Sequence, residues 1–240
     1  MMARKPKTSV SAPVTPEAPR IVAYKGFNRD WTCRGFQYEV GKTYTTDAAV
    51  VRCASGGFHS CENPFDVWTY YPLAGNVFAE VEVGGQIDRE VGGDSKITSA
   101  EITIKAELHL PDFIKRAVAW VLDNAKGNTA TGYRGHAAAT GYSGHAAATG
   151  DSGHATATGY RGHAAATGDS GIAASLNGNS TATAAQNGGI VLAYWAWREI
   201  DGKKVYALVH LRAAMVGGPE GIKAGVTYRL NEAGEFEVPA

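Results

Sequence analysis

The sequence predicts an α+β N-terminal domain followed by a parallel β-solenoid and a β-rich C-terminal cap, and three observations carry that prediction. A nine-residue phrase, Thr131-Gly132-Tyr133-Arg134-Gly135-His136-Ala137-Ala138-Ala139, returns in phase from Thr140, Thr149, Thr158 and Thr167. Across residues 128–171 there is no Val, Ile, Leu, Met, Phe or Trp. No conventional apolar core can form there, and a fixed short period signals stacked coils. On either side of the repeat, mixed apolar and charged texture returns. The 30 glycines among 240 residues are about 12 %, against a usual ~7 %, and many fall in the repeat.

The elements follow in chain order. Residues 1–19 hold Lys, Pro, Ser, Thr and Ala with few large apolar side chains. They cannot bury enough surface to offset ordering entropy and read as a flexible leader. Residues 20–125 read as the α+β domain. Within it 21–24, 77–83 and 97–104 are predicted strands, the second alternating with period two. Asn63-Pro64 opens a short predicted helix, with Asn63 as N-cap and Pro64 in the first turn. A longer helix is predicted over 110–123. Pro111 opens it, and Phe113, Ile114, Ala117, Val118, Val121 and Leu122 fall on one face.

Residues 128–190 are the predicted solenoid. In each copy Thr-Gly-x-x-Gly supplies a tight turn, with glycines meeting the need for unusual dihedrals, and the His position opens a short strand. The positions one and three after it are small throughout (Ala137 and Ala139, Ala146 and Ala148, Ala155 and Ala157, Ala164 and Ala166, Ala173 and Ser175) and are expected to point inward. The His position itself is expected outside, solvated or laterally stacked. Thr181 and then Ile190 continue it in decayed copies. Two copies per coil, 18 residues, is the expected geometry. It stacks Tyr142 on Tyr160 along one edge and Asp151, Asp169 and Asn187 along the other, and it splits the four histidines into two pairs on opposite faces. Open sheet ends need capping. The helix over 110–123 is expected to cap one end, and residues 191–240 the other as hairpins, the first turning at Asp201-Gly202.

Composition bounds function. Lys+Arg and Asp+Glu number 23 each, for zero formal net charge, so no global field favours nucleic acid or an anionic membrane. No apolar stretch approaches the ~20 residues of a spanning helix. Cys33, Cys53 and Cys61 cannot all pair, which fits a reducing compartment. A cytoplasmic protein is expected.

Several segments carry resemblances. Tyr24-Lys25-Gly26-Phe27, the runs 33–41 and 53–64, and Asp94-Ser95-Lys96-Ile97 together resemble an uncharacterised domain of phage and prophage proteins. That implies phage origin, and hence a host cytoplasm, without implying an activity. The repeat is similar in style to the head repeats of trimeric autotransporter adhesins, from which it departs in period, and to calcium-binding nonapeptide β-rolls. From the latter it departs in carrying only Asp151 and Asp169 in its turns, so calcium cages are not expected. Tyr24-Lys25-Gly26 with Gly57-Phe58-His59 and Tyr70-Tyr71 resembles the layout of ADP-ribosyltransferases. That resemblance implies a nicotinamide dinucleotide site, with Glu80 or Glu82 nominated as its acid.

Candidate sites are few. Cys33, Cys53, His59 and Cys61 form a Cys3His set, chemically complete for zinc, although no Cys-x-x-Cys knuckle is present and buried free thiols are the ordinary alternative. Apart from that set no cofactor is expected. No Ser/His/Asp or paired-carboxylate constellation has informative spacing, so no catalytic residue is assigned. Tyr133, Arg134, His136, Tyr142, His145, His154, Tyr160, Arg161 and His163 form the expected recognition surface, since aromatic and Arg side chains give contact area at low entropic cost. The expected function is a non-enzymatic, phage-encoded protein that binds a host protein, as an anti-CRISPR or other anti-defence inhibitor does. The expected state is a homodimer or homotrimer. A transferase and a virion or tail component are the alternatives.

Overall fold

A computed structural model describes residues 20–51, 56–89 and 95–239. The expected leader (1–19) and Cys53 lie outside the described residues. The N-terminal domain holds β1 (Ile21–Asn28), β2 (Thr32–Cys33), β3 (Phe36–Gln37), β4 (Thr43–Thr45), β5 (Phe58–Cys61), α1 (Pro64–Tyr70), β6 (Asn76–Arg89), β7 (Lys96–Glu107) and α2 (Leu110–Asn124). Its main sheet runs β4-β7-β5-β1-β6, and β6 also pairs with β7. Strands β1, β5, β7 and β6 therefore close a ring around Ala23, Phe27, Val81, Val83, Ile97, Ile102 and Ile104. The long β6–β7 pair curls to close it, with register shifts at Glu80/Val81 and Gly84/Ile87. One seam is weak: β1 meets β5 at the single pair Tyr24↔Cys61.

Both helices form as their sequences dictate. The Asn63 side chain accepts a hydrogen bond from the Phe65 amide at 3.1 Å, and Pro64 sits where no amide is needed. Trp68 of α1 stacks on Phe113 of α2, with ring centroids 5.3 Å apart.

The solenoid comprises β8 (Thr129–Ala130), β9 (His136–Ala139), β10 (His145–Ala148), β11 (His154–Ala157), β12 (His163–Ala166), β13 (Ile172–Ser175) and β14 (Thr181–Ala184). Two parallel sheets alternate along the chain, β8-β10-β12-β14 and β9-β11-β13. His145 pairs with His163 and His154 with His136, so each coil is 18 residues, two copies. The interior is the expected alanine ladder, and Ser175 also points inward, its hydroxyl donating to the Gly162 carbonyl.

The turns depart from the expected reading. The left-handed residue is the non-glycine before the second glycine: Arg134, Ser143, Ser152, Arg161 and Ser170, all with φ between 55° and 57°. That backbone turn points its amide along the stack, as from Ser143 to the Tyr160 carbonyl at 2.8 Å. The glycines answer a packing demand instead. A Cβ on Gly159 would fall on the Gly141 carbonyl oxygen of the coil before it, and one on Gly162 would lie 2.9 Å from the Gly159 oxygen.

The C-terminal segment adds β15 (Gly189–Ile200), β16 (Lys203–Met215), β17 (Thr227–Leu230) and β18 (Phe236–Glu237). Here one expectation is corrected. Ile172 pairs with Gly189, so the last copy is one residue short and Ile190 takes an inward alanine position. Ile190 and Leu192 widen the thin core, and Ile222, Tyr228 and Leu230 close it. Antiparallel β16 and β17 cover the two sheet edges, pairing with β15 and β14. At the other end, α2 lies along the flank of β9 and β11.

Candidate functional site

On the β9–β11 sheet, outward means into the N-terminal domain. Tyr24, Phe65, Trp68, Phe78 and Phe113 share one buried cluster with Ile172, Ala174 and Val191. His154 is 1 % exposed, and its Nε2 lies 2.8 Å from Asp66 Oδ1 of α1. Burial would raise the Asp66 carboxyl, but hydrogen bonds from His154 and from the Ser95 hydroxyl and amide hold it below its ordinary value. His136 stacks on His154 at 5.5 Å and meets the edge of Trp120 at 4.7 Å. Burial first, and His154 second, lower its pKa to about 4. His136 and His154 stand on the outer face of their sheet and stack laterally, as expected, but the N-terminal domain covers that face; it is their expected recognition role that is corrected, since both belong to an internal joint.

The opposite sheet keeps its ladder open. His145 is exposed and stands 5.8 Å from His163. The latter's Nδ1 lies 2.8 Å from the Thr181 hydroxyl, and burial, then His145, lowers its pKa. Tyr133 and Arg134 sit with Asp151 on one edge, Arg134 stacked over the Tyr133 ring at 4.4 Å. Asp169 bridges Asp151 and Asn187 along that edge, its amide donating to Asp151 and its carboxylate accepting from Asn187.

The other edge carries more than the repeat announces. Tyr142 lies 5.5 Å from Tyr160, ring to ring, and the Arg161 guanidinium stands over Tyr160 at 5.7 Å. Tyr160 and Tyr206 of β16 both close over Gly178, where a Cβ would fall on the Tyr206 hydroxyl and lie 3.1 Å from the Tyr160 ring. From Tyr206 the contacts continue to Trp195 at 5.9 Å and Trp197 at 5.5 Å. The Trp195 indole donates to the Leu176 carbonyl at 3.0 Å, pinning the ribbon to the solenoid. The result is a continuous aromatic strip, exposed at both ends: Tyr142 is 69 % and Trp197 68 % accessible. Sequence alone marks Tyr142 and Tyr160 by their period, but nothing in it aligns Trp195, Trp197 and Tyr206 with them.

A second feature lies at the weak β1–β5 seam. Two cavities, of about 100 Å³ and about 520 Å³, share Lys25, Cys33, Arg34 and His59 in their walls. Lys25 is 5 % exposed. Its Nζ donates to the His59 carbonyl at 2.9 Å and stands 3.5 Å from Cys33 Sγ. The same sulfur accepts from the Tyr71 hydroxyl at 2.9 Å. Burial lowers the Lys25 pKa, with Cys33 opposing. Burial, then the charges of Lys96, Lys25 and Arg34, lowers His59 to about 4. Burial and the Cys33 contact raise Tyr71.

Cys33, His59 and Cys61 thus border one cavity, with Cys53 outside the described residues. A lysine stands beside the Cys33 sulfur, and no trio of His, Cys, Asp or Glu placed to hold a metal occurs among the described residues. Glu80 and Glu82 do not line the cleft. Glu80 is ion-paired with Arg116, and Glu82 with Lys105 and Arg20. No carboxylate borders either cavity among the described residues.

Residues 21–116 match a family described as a domain of unknown function, DUF7666. The match runs from β1 into α2 and covers the cleft, but ends before the solenoid and the aromatic strip. No curated protein and no solved structure matches the chain.

Proposed function

We propose that this is a non-enzymatic binding protein that engages a partner protein through the aromatic strip from Tyr142 to Trp197, with the open His145–His163 face beside it. The observation that carries this reading is the strip's continuity across two independent elements, the solenoid edge and the β15–β16 ribbon. Tyr and Trp concentrate binding energy because they bury large areas at little rotamer cost. The phage-like resemblance of the N-terminal run makes a host protein the partner we favour, with inhibition of a defence system as the outcome.

The test is affinity capture from infected host cells with wild type and with Tyr142→Ser and Trp197→Ser, both exposed and outside the core. A stoichiometric host protein lost with both variants supports the proposal. Recovery of the chain only in virions would assign it a structural role. Light scattering that shows a dimer or trimer dispersed by the same substitutions would make the strip an oligomer contact.

A further inference from the structure

We propose that the cleft at the β1–β5 seam binds a nucleoside monophosphate, with the phosphate held between Lys25 and His59 and the ring in the larger chamber. Lys25 is a buried lysine with no anionic partner among the described residues. Lysine is almost never fully buried unless paired, and a buried charge is costly unless satisfied. The contacts of Lys25 are the Cys33 sulfur, the His59 carbonyl and the faces of Phe27 and Tyr38, at 5.4 and 5.6 Å. None is a carboxylate.

Space exists at that point. The two cavities share Lys25, Cys33, Arg34 and His59 in their walls, and the proposed anion site lies at that shared wall. The His59 Nε2 atom lies buried with no hydrogen-bond partner among the described residues, and a phosphate oxygen supplies one. The lining of the larger chamber fits the rest of such a ligand. Phe36, Tyr44 and Phe58 offer apolar ring surface, while Thr43, Thr45 and Thr46 offer hydroxyls suited to a sugar and to polar base edges.

Proton linkage follows from the surroundings. Lys25 faces Cys33 from β2, His59 and Cys61 from β5, Tyr71 beyond α1, and the Tyr38 ring; Arg34 adds repulsion. His59 faces Lys25, Arg34 and Lys96. Both Lys25 and His59 are biased toward their neutral forms. An anion between them favours the charged forms, so binding takes up protons.

The experiment titrates the full chain at pH 7.5 with each of the four ribonucleoside monophosphates, the matching nucleosides and inorganic phosphate. Calorimetry is run in buffers of different ionisation heat. In a Cys53→Ser background, alkylation of Cys33 is timed with and without ligand. Expected are binding of at least one monophosphate at least tenfold tighter than its nucleoside or phosphate alone, net proton uptake, and protection of Cys33. Lys25→Met should weaken binding at least tenfold, and His59→Gln should lower it less and reduce the uptake. If Lys25→Met does not fold, His59→Gln and the alkylation rate decide. Binding by none of the four monophosphates, or equal affinity in the folded Lys25→Met chain, overturns the proposal.

Discussion

At the turn residues of the solenoid, backbone geometry and side-chain identity disagree in an instructive way. Ser143 and Ser152 hold φ of 55°, a region that costs an L-residue about 1–2 kcal/mol. Glycine removes that cost but frees the unfolded chain, which returns about 0.5–1 kcal/mol. Ser143→Gly should therefore stabilise the protein by about 0.5–1 kcal/mol, read as an increased denaturant midpoint. The neighbouring glycines behave oppositely. Gly159→Ala drives a methyl into the Gly141 carbonyl oxygen, and the coils must separate to admit it. Its midpoint should fall by more than Ser143→Gly raises it. Equal and opposite shifts, or a stabilised Gly159→Ala, would contradict this division of labour. The decayed copies agree with it, since Asn179 and Asn187 occupy the left-handed position and asparagine tolerates that region best after glycine.

Elements divide by whether local sequence decides them. The helices, the 18-residue register, the inward alanines and the Asp201-Gly202 hairpin were legible because caps, period and turn chemistry act within a few residues. The ring closure of β6 on β7, the one-residue slip that turns Ile190 inward, and the alignment of Tyr206 with Tyr160 were not. Each depends on which distant element lies alongside, as does the burial of His154 against Asp66, 88 positions apart. The cleft falls between these cases: Lys25, His59 and Tyr71 stand out as residues, but only the unpaired stretch of the β1–β5 seam brings them around one space.

The helix–solenoid joint makes a pH prediction. His136 of that joint and His59 of the cleft titrate near 6.5 when unfolded and at about 4 when folded. Between those values the unfolded chain binds more protons. Their contribution to stability is therefore complete above pH 6.5 and is lost as pH falls toward 4. The Asp66 carboxyl, held below its ordinary value, adds a further loss below about pH 4. Thermal midpoints should drop steadily from pH 7 to pH 4.5, and His136→Gln should flatten that slope. An unchanged slope in the variant would remove His136 from the joint's titration.

On the scale of the whole molecule, the repeat is periodic but its neighbour is not, and the domain docks on one particular coil. The chain enters the solenoid just after α2, so excising one coil, residues 131–148, should leave the ladder in register with one turn fewer. The excision shifts every later coil by one place against α1 and α2. By the pairing of His136 with His154 and of His154 with Ile172, His154 would move to the place of His136, and Ile172 would stand opposite Asp66. A buried carboxylate facing isoleucine, keeping only its Ser95 and Asn63 hydrogen bonds, loses about 3 kcal/mol relative to the paired state. The shortened chain should therefore keep its β-rich circular dichroism while its thermal midpoint falls and protease cuts the exposed joint near residue 125. Adding Ile172→His to the excised chain returns an imidazole to Asp66 and should recover most of the loss, whereas the same substitution in the full-length chain should destabilise it by placing a polar ring in an apolar cluster. If the excised chain is as stable as the full one, or if Ile172→His fails to rescue it while both remain folded, docking is set by the apolar contacts of Phe65, Trp68 and Phe113 and not by the Asp66–His154 pair.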